Sequence, residues 1–352
     1  SRGLGDVYKR QFFVQAPWRT YVNYNDPRLI EKYYSQMKEW FKYVDKYTVD
    51  GLLKRWPDTK YRDWYLGDWL APMGVDAGNQ ASVDLVSNCF ISECLSTMYK
   101  TALTLGNKEE AEEFAIRKEK LNKLIHQTFY RADEGIYSTG SQLDMCYPML
   151  VGVVPDSLYN KVKENVVMMT EEKHKGHIAV GLVGVPILTE WAVRNKQVDF
   201  FYQMMKKRDY PGYLYMIDRG ATATWEYWSG ERSRVHNCYN GIGTWFYQAV
   251  GGIRLDEAEP GYRHFYVDPQ IPNGVTWAKV TKESPYGTIA VNWKLEDDNQ
   301  LNLQLTVPAG TTATICIPNN AVSCKMNKKK VSIKKQTVDV EAGHYEFLFN
   351  LK

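Results

Sequence analysis

From about Pro27 to Val250 apolar residues recur at helical spacing. Leu29, Tyr33, Met37, Trp40, Phe41 and Val44 fall at steps of three and four, which puts them on one helix face. Leu95, Met98, Tyr99, Ala102 and Leu105 repeat the pattern, and Gly106 follows as a stop. Asn107 and the acidic turn Glu109-Glu110 predict the next start, with Phe114, Leu121, Leu124 and Ile125 inward. Pro155 opens a further helix with Leu158, Val162, Val166 and Met169 inward. Ile187 to Val193, Val198 to Met205 and Val235 to Val250 complete the predicted set. The stretches Tyr61 to Gly78 and Tyr210 to Gly230 read as long aromatic- and Gly-rich loops, and loops of that length usually carry function.

After Gly252 the period changes to two. Val275 to Lys282, Thr288 to Glu296, Leu301 to Val307 and Thr312 to Ile317 alternate apolar and polar residues. Ser284-Pro285-Tyr286-Gly287, Asp297-Asp298-Asn299 and Pro308-Ala309-Gly310 separate them as turns. Val331 to Ile333, Thr337 to Val340 and His344 to Phe349 continue the series, which predicts an antiparallel sandwich. The basic run Lys325 to Lys335 reads as a solvated hairpin.

A length of 352 residues suits about two domains. The change of period places them at 12–252 (helical) and 253–352 (β), with Ser1 to Gln11 reading as a non-native junction. A net charge of +3 argues against a dedicated nucleic-acid binder. No apolar run is long enough to predict a membrane span. The six cysteines have neither CxxC nor zinc spacing, so they read as unpaired thiols and leave the compartment open, a periplasmic or extracellular one included. Neither a metal nor a cofactor is implied. Aromatic residues make up 14% of the chain, a level shared by carbohydrate-active proteins and by proteins with large helical cores.

One stretch decides between those two. Gly220 to Trp228 sets a single carboxylate, Glu226, among Trp225, Tyr227 and Trp228. Aromatic rings suit the apolar faces of a sugar and raise a carboxylate's pKa by desolvation. Glycoside hydrolysis needs carboxylates beside a bound pyranose. Glu226 is therefore the first catalytic candidate.

Blocks in a fixed order carry a resemblance to a known family. They are Ala16-Pro17-Trp18-Arg19-Thr20-Tyr21 with Asp26, then Gly67-Asp68-Trp69-Leu70-Ala71-Pro72. Gly176-His177 to Pro186, Tyr213 to Met216 and Gly220 to Trp228 follow, then Ser233-Arg234-Val235-His236 with Tyr239, Gly243, Trp245 and Tyr247. Together they resemble family 78 of the glycoside hydrolases, the α-L-rhamnosidases, and Ala258 to Ile317 resembles that family's C-terminal β domain. The resemblance implies an α+β multidomain chain: an (α/α)6 six-hairpin toroid, here incomplete, followed by an antiparallel β-sandwich. It implies inverting release of terminal α-L-rhamnose from an oligosaccharide, polysaccharide or glycoside. Glu226 takes the place of the general base, and His236 that of a sugar-hydroxyl ligand. Trp69 and Trp225 become pocket walls, and Asp68 an acceptor for sugar hydroxyls.

The chain departs from the pattern in places. Val235 stands where the family has Asn, and Tyr227-Trp228 where it has Arg-Trp, which leaves fine substrate preference open. The family's general acid lies in an upstream Arg-Asp-Glu motif. Arg62-Asp63-Trp64 echoes it with a Trp in the acid's place, so the acid is expected outside this chain and the chain alone is expected to have little activity. Two other readings stay open: a catalytically silent carbohydrate-binding protein, and a toroidal glycosidase for another sugar. For Asp68 the structural alternative is a helix or turn cap, for His236 a helix start capped by Ser233. Asp144 is a weaker pocket candidate.

Overall fold

The structure is a computed structural model that describes residues 7–54, 67–72, 79–296 and 299–352. Arg62-Asp63-Trp64, most of the loop expected at Tyr61 to Gly78, and Asp297-Asp298 lie outside the described residues. The chain forms two compact units. One comprises Ser1–Trp18, Ile30–Asn195 and Phe200–Ile242, and the other Arg19–Leu29, Lys196–Asp199 and Gly243–Lys352.

The first unit is built of helical hairpins. α1 (Val7–Tyr24) precedes α2 (Arg28–Asp45), and two short strands follow, β1 (Thr48–Val49) and β2 (Leu52–Leu53). α3 (Gln80–Thr104) pairs with α4 (Lys108–Phe129). The strands β3 (Tyr130–Arg131) and β4 (Ile136–Tyr137) lead to α5 (Gln142–Leu150), which packs on α6 (Asp156–His174). α7 (Gly184–Arg194), α8 (Val198–Met205) and the short α9 (Tyr213–Ile217) follow.

Burial separates inner helices from outer ones. In α3, 16 of 25 residues are buried, and in α5 eight of nine, so these helices are surrounded. α5 packs against both α3 and α7. Because inner helices meet on every side, their polar groups must bond across the ring. Thr97 Oγ1 donates to Gln15 Oε1 (3.1 Å), Ser82 Oγ to Asp144 Oδ1 (2.7 Å) and Trp191 Nε1 to Met149 Sδ (3.1 Å), which links α1, α3, α5 and α7 in turn. The outer helices α2 and α4 meet through Glu110, which accepts from Tyr34 Oη (2.6 Å) and pairs with Lys38 Nζ (2.5 Å). This alternation is the six-hairpin pattern that the resemblance implied.

Local readings fared unevenly. Val198–Met205 is the predicted helix to the residue. In α2, Met37, Phe41 and Val44 are buried as expected, but Ile30 and Tyr34 take the places expected of Leu29 and Tyr33, and Trp40 is half-buried. Val235 to Val250 is not one helix. Helical structure starts only at Asn240, as a 3-10 turn, a single α turn and a π turn over Phe246–Val250. The reason is local: Ser233 Oγ bonds to Val235 O and His236 Nδ1 takes the Cys238 amide, so the backbone is committed elsewhere.

The second unit holds the sheets. β5 (Ile253–Leu255) and β6 (His264–Val267) come first. β7 (Trp277–Ser284), β8 (Gly287–Glu296) and β9 (Gln300–Val307) form a meander, and β10 (Thr312–Cys316) follows. The last strands are β11 (Ala321–Met326), β12 (Lys329–Val331), β13 (Thr337–Val340) and β14 (Gly343–Leu351). One sheet runs β12-β11-β14-β9-β8-β7, the other β13-β10-β6-β5. Alternation gives each a buried face: Ile289, Val291 and Trp293 on β8 with Leu301, Leu303, Leu305 and Val307 on β9 in the first, and Phe265 and Val267 on β6 with Ala313 and Ile315 on β10 in the second. All ladders are antiparallel except β6 with β10, which are parallel because the chain crosses through β7–β9 between them. Lys325 and Lys330 face each other on the exposed hairpin β11–β12, as the basic run predicted. All six cysteines are free.

Candidate functional site

Glu226 sits at the start of a tight backbone fold. Its amide donates to Ser233 O (2.8 Å), and the His236 amide donates to Thr224 O (2.8 Å), so 224–226 lie against 233–236. Gly230, at φ +78°, turns the chain between them and lies on the Trp225 ring; a Cβ there would meet Cζ3 at 2.7 Å. Trp225 and Trp228 are each only 1% exposed, while Glu226 and Tyr227 between them are half-buried. The buried rings anchor the segment and leave the carboxylate at its accessible edge. Ser233 donates to Glu226 Oε2 only at a long 3.4 Å, so the carboxylate keeps most of its acceptor capacity. The Cys238 thiol is close enough that burial and the Glu226 charge together push its pKa up to about 12.

His236 is half-buried at the end of 233–236, the segment that lies against 224–226. Its Nδ1 accepts the Cys238 amide (3.1 Å), so Nε2 is the ring nitrogen that carries a proton. That N–H is then a donor for a ligand oxygen.

Asp68 has different work. Its Oδ2 accepts from the Gly181 amide (2.7 Å), and its Oδ1 from the amides of Val183 (3.1 Å) and Gly184 (2.8 Å), at the start of α7. It is 2% exposed, and burial, outweighing those bonds, pushes its carboxyl up to about 7. Asp68, expected as an acceptor for sugar hydroxyls, has an enclosed side chain that caps backbone amides. Glycine is required on the facing segment. A Cβ on Gly181 would lie 2.1 Å from Trp69 O, and one on Gly184 2.6 Å from Asp68 Oδ2.

This contact passes on to the Glu226 segment. Trp69 O accepts the Leu182 amide (2.9 Å), and Leu70, at φ +64°, offers its carbonyl to Tyr239 Oη (2.9 Å). Tyr239 stacks on Trp228 with ring centroids 4.1 Å apart, and Trp228 Nε1 donates to Val180 O (2.9 Å). The circuit therefore closes through 67–72, 180–184 and 225–239. It holds Trp69, half-buried, on the same framework as Glu226 and His236.

Trp225, expected as a pocket wall, is 1% exposed and lies against Gly230. Asp144 is fully buried and accepts from Ser82 and Thr139, so it is structural. The loop expected at Tyr210 to Gly230 contains α9, whose Tyr213 packs edge-on against Trp228 (5.2 Å). Sequence reasoning missed Gly181 and Gly184 and the clamp of Tyr239 on Trp228. The Gly-x-x-Gly spacing just before a helix was the signal available. Among the described residues no group of three His, Cys, Asp or Glu has metal-binding geometry. No helix among them is long and apolar enough to cross a membrane.

Residues 8–250 match the family model for the bacterial alpha-L-rhamnosidase six-hairpin glycosidase domain, and residues 252–332 the model for the bacterial alpha-L-rhamnosidase C-terminal domain. The chain therefore belongs to the bacterial α-L-rhamnosidase family. It is 27% identical to an alpha-L-rhamnosidase of Alteromonas sp. (strain LOR) and 28% identical to one of Formosa agariphila. In each case the match covers 99% of this chain and 38% of the relative. The chain thus spans under two fifths of the length of these curated relatives. The fold is similar to that of the Streptomyces avermitilis alpha-L-rhamnosidase solved with L-rhamnose (TM-score 0.83, 22% identity, 96% of this chain and 32% of that one). It is also similar to the alpha-L-rhamnosidase from Dictyoglumus thermophilum (TM-score 0.87, 20% identity, 98% and 40%).

Proposed function

We propose that this chain supplies the base side of a glycoside hydrolase active site that releases terminal α-L-rhamnose from an oligosaccharide, polysaccharide or glycoside. The observation that carries the reading is the half-buried Glu226 carboxylate, held between buried tryptophans on a segment paired with the one that carries His236. The relatives named alpha-L-rhamnosidase, and the similar fold solved with L-rhamnose, support the choice of sugar.

In this reading Glu226 takes a proton from a water on the face of the sugar opposite the leaving oxygen, and the anomeric centre inverts. Inversion needs a second carboxyl about 6.5 to 9.5 Å away, leaving room for that water. Asp68 and Asp144 are enclosed and bonded to the protein, so neither takes that part. No Arg-Asp-Glu sequence occurs in the chain, and the acid is assigned to a segment beyond these 352 residues. His236 Nε2–H donates to a sugar oxygen, and Trp69 borders the sugar. Proton NMR of the first product released by the full-length protein tests the mechanism. Release of the anomer opposite to the bound one supports inversion, and release of the same anomer contradicts it.

A further inference from the structure

Both ring nitrogens of His177 face acceptors. Nδ1 lies 3.0 Å from the carbonyl oxygen of His174, the last residue of α6, and Nε2 lies 2.8 Å from Asp209 Oδ1. A carbonyl oxygen only accepts. The Asp209 carboxyl is ionised and only accepts as well, its pKa lowered first by the bond to His177 and next by its own backbone. Both nitrogens therefore donate, and the ring is an imidazolium. The ring is buried, while the Asp209 side chain is largely exposed. Two bonds fix the buried partner, so only Asp209 has to be ordered, unlike a pair of two exposed chains. Glu171 and Lys207 both reach Gly176 beside the pair, and Lys207 also acts on Asp209. His174 is held low by burial first, then by the charges of Lys173 and His177.

The pair joins two segments that grip one ring. Val180, three residues after His177, accepts Trp228 Nε1 at its carbonyl (2.9 Å). Tyr213, four residues after Asp209, packs edge-on against Trp228 (5.2 Å) and donates its hydroxyl to Tyr239 O (2.7 Å). Pro211 and Gly212 between them are buried, and a Cβ on Gly212 would lie 2.8 Å from Lys207 O, so this link is short and packed. His177, Val180, Trp228, Tyr213 and Asp209 thus close a circuit of contacts. Trp228 stands two residues beyond Glu226 and anchors its segment.

We propose that His177, as an imidazolium bridging His174 and Asp209, is a positioning residue for Glu226. The inference rests on the hydrolase reading of Glu226. His177 acts through Trp228 and touches no substrate. Loss of one ring proton leaves a lone pair facing an acceptor, so the bridge opens at one end as pH rises. An amide at position 209 behaves differently. It accepts from the charged ring, or turns and donates to Nε2 of the neutral one.

Full-length wild type, Asp209→Ala and Asp209→Asn are compared from about pH 5.5 to about pH 9, which spans imidazole titration. With an aryl α-L-rhamnoside, Asp209→Ala is expected to lower kcat roughly tenfold at the acid end. The kcat ratio of Asp209→Asn to wild type is expected to rise roughly threefold or more toward the alkaline end. A limb common to both proteins, the general acid's included, cancels in that ratio. Hydrogen exchange of the 224–236 amides, read by mass spectrometry at one pH, is expected to be roughly tenfold faster in Asp209→Ala, with the β7–β9 amides unchanged. A ratio that stays flat or falls, or wild-type kcat or exchange in Asp209→Ala, overturns the proposal. If the Ala variant melts at lower temperature, the Asn ratio decides. If the wild type releases no rhamnose, the hydrolase reading fails. Exchange then decides the role of His177: faster exchange at 224–236 in Asp209→Ala supports it, and equal exchange overturns it.

Discussion

Asp68 and Glu226 each stand beside a tryptophan in the chain, and their surroundings give them opposite work. Asp68 has amides on both oxygens and almost no exposure; among the described residues the Glu226 carboxylate accepts one long hydrogen bond, and it is half-exposed. For Asp68 the consequence is a pH dependence of stability. Its folded pKa of about 7 lies above the ordinary 3.8, so the folded protein holds a proton that the unfolded chain releases. The stability from this group is full below about pH 4 and falls as pH rises through about 7. Urea denaturation across that range is expected to show the slope, and Asp68→Asn to remove it. The same variant turns an amide group toward backbone donors and is expected to cost about 1 to 3 kcal/mol. At Trp228, Trp228→Phe leaves the buried Val180 carbonyl without its donor. An expected loss of about 1 to 3 kcal/mol is readable in the same assay.

At the scale of elements, what could be read from sequence depended on how one-sided each element is. α8 has one wet face and one dry face, so its period was plain. α3 and α5 are buried nearly all round and carry little amphipathic contrast; only the last part of α3 was legible, and α5 was not read as a helix. In α2 large aromatic residues at Tyr33 and Trp40 masked the true phase, because rings count as apolar in a pattern while sitting half in water. The site divided the same way. Glu226 was singled out by its aromatic neighbours and His236 by the family resemblance, whereas the particular amides that Asp68 caps lie more than a hundred residues away, and no local pattern names them or the stack of Tyr239 on Trp228. The parallel pairing of β6 with β10 was hidden for the same reason. The approach of 67–72 to the start of α7 depends on glycine, so Gly181→Ala is expected to force backbone apart at Trp69. A loss of about 1 to 3 kcal/mol, seen by denaturation and as a change in tryptophan fluorescence, checks it.

At the scale of the molecule, the helical unit carries every residue of the proposed site, and the sheets of the second unit carry none. In the proposed reading the base stands here without its acid partner, which leaves the departing oxygen unprotonated. General acid catalysis contributes roughly 10²- to 10⁴-fold, so these 352 residues alone are expected to turn over an aryl α-L-rhamnoside slower than the full-length protein by about that factor. Rates for the two forms under one set of conditions check this. The account's central claim is that Glu226 activates water, and Glu226→Gln in the full-length protein tests it most directly, since the amide keeps the shape and loses the base. The expected result is a kcat lower by roughly 10²- to 10⁴-fold with the melting temperature unchanged; a kcat equal to that of the wild type would contradict the assignment.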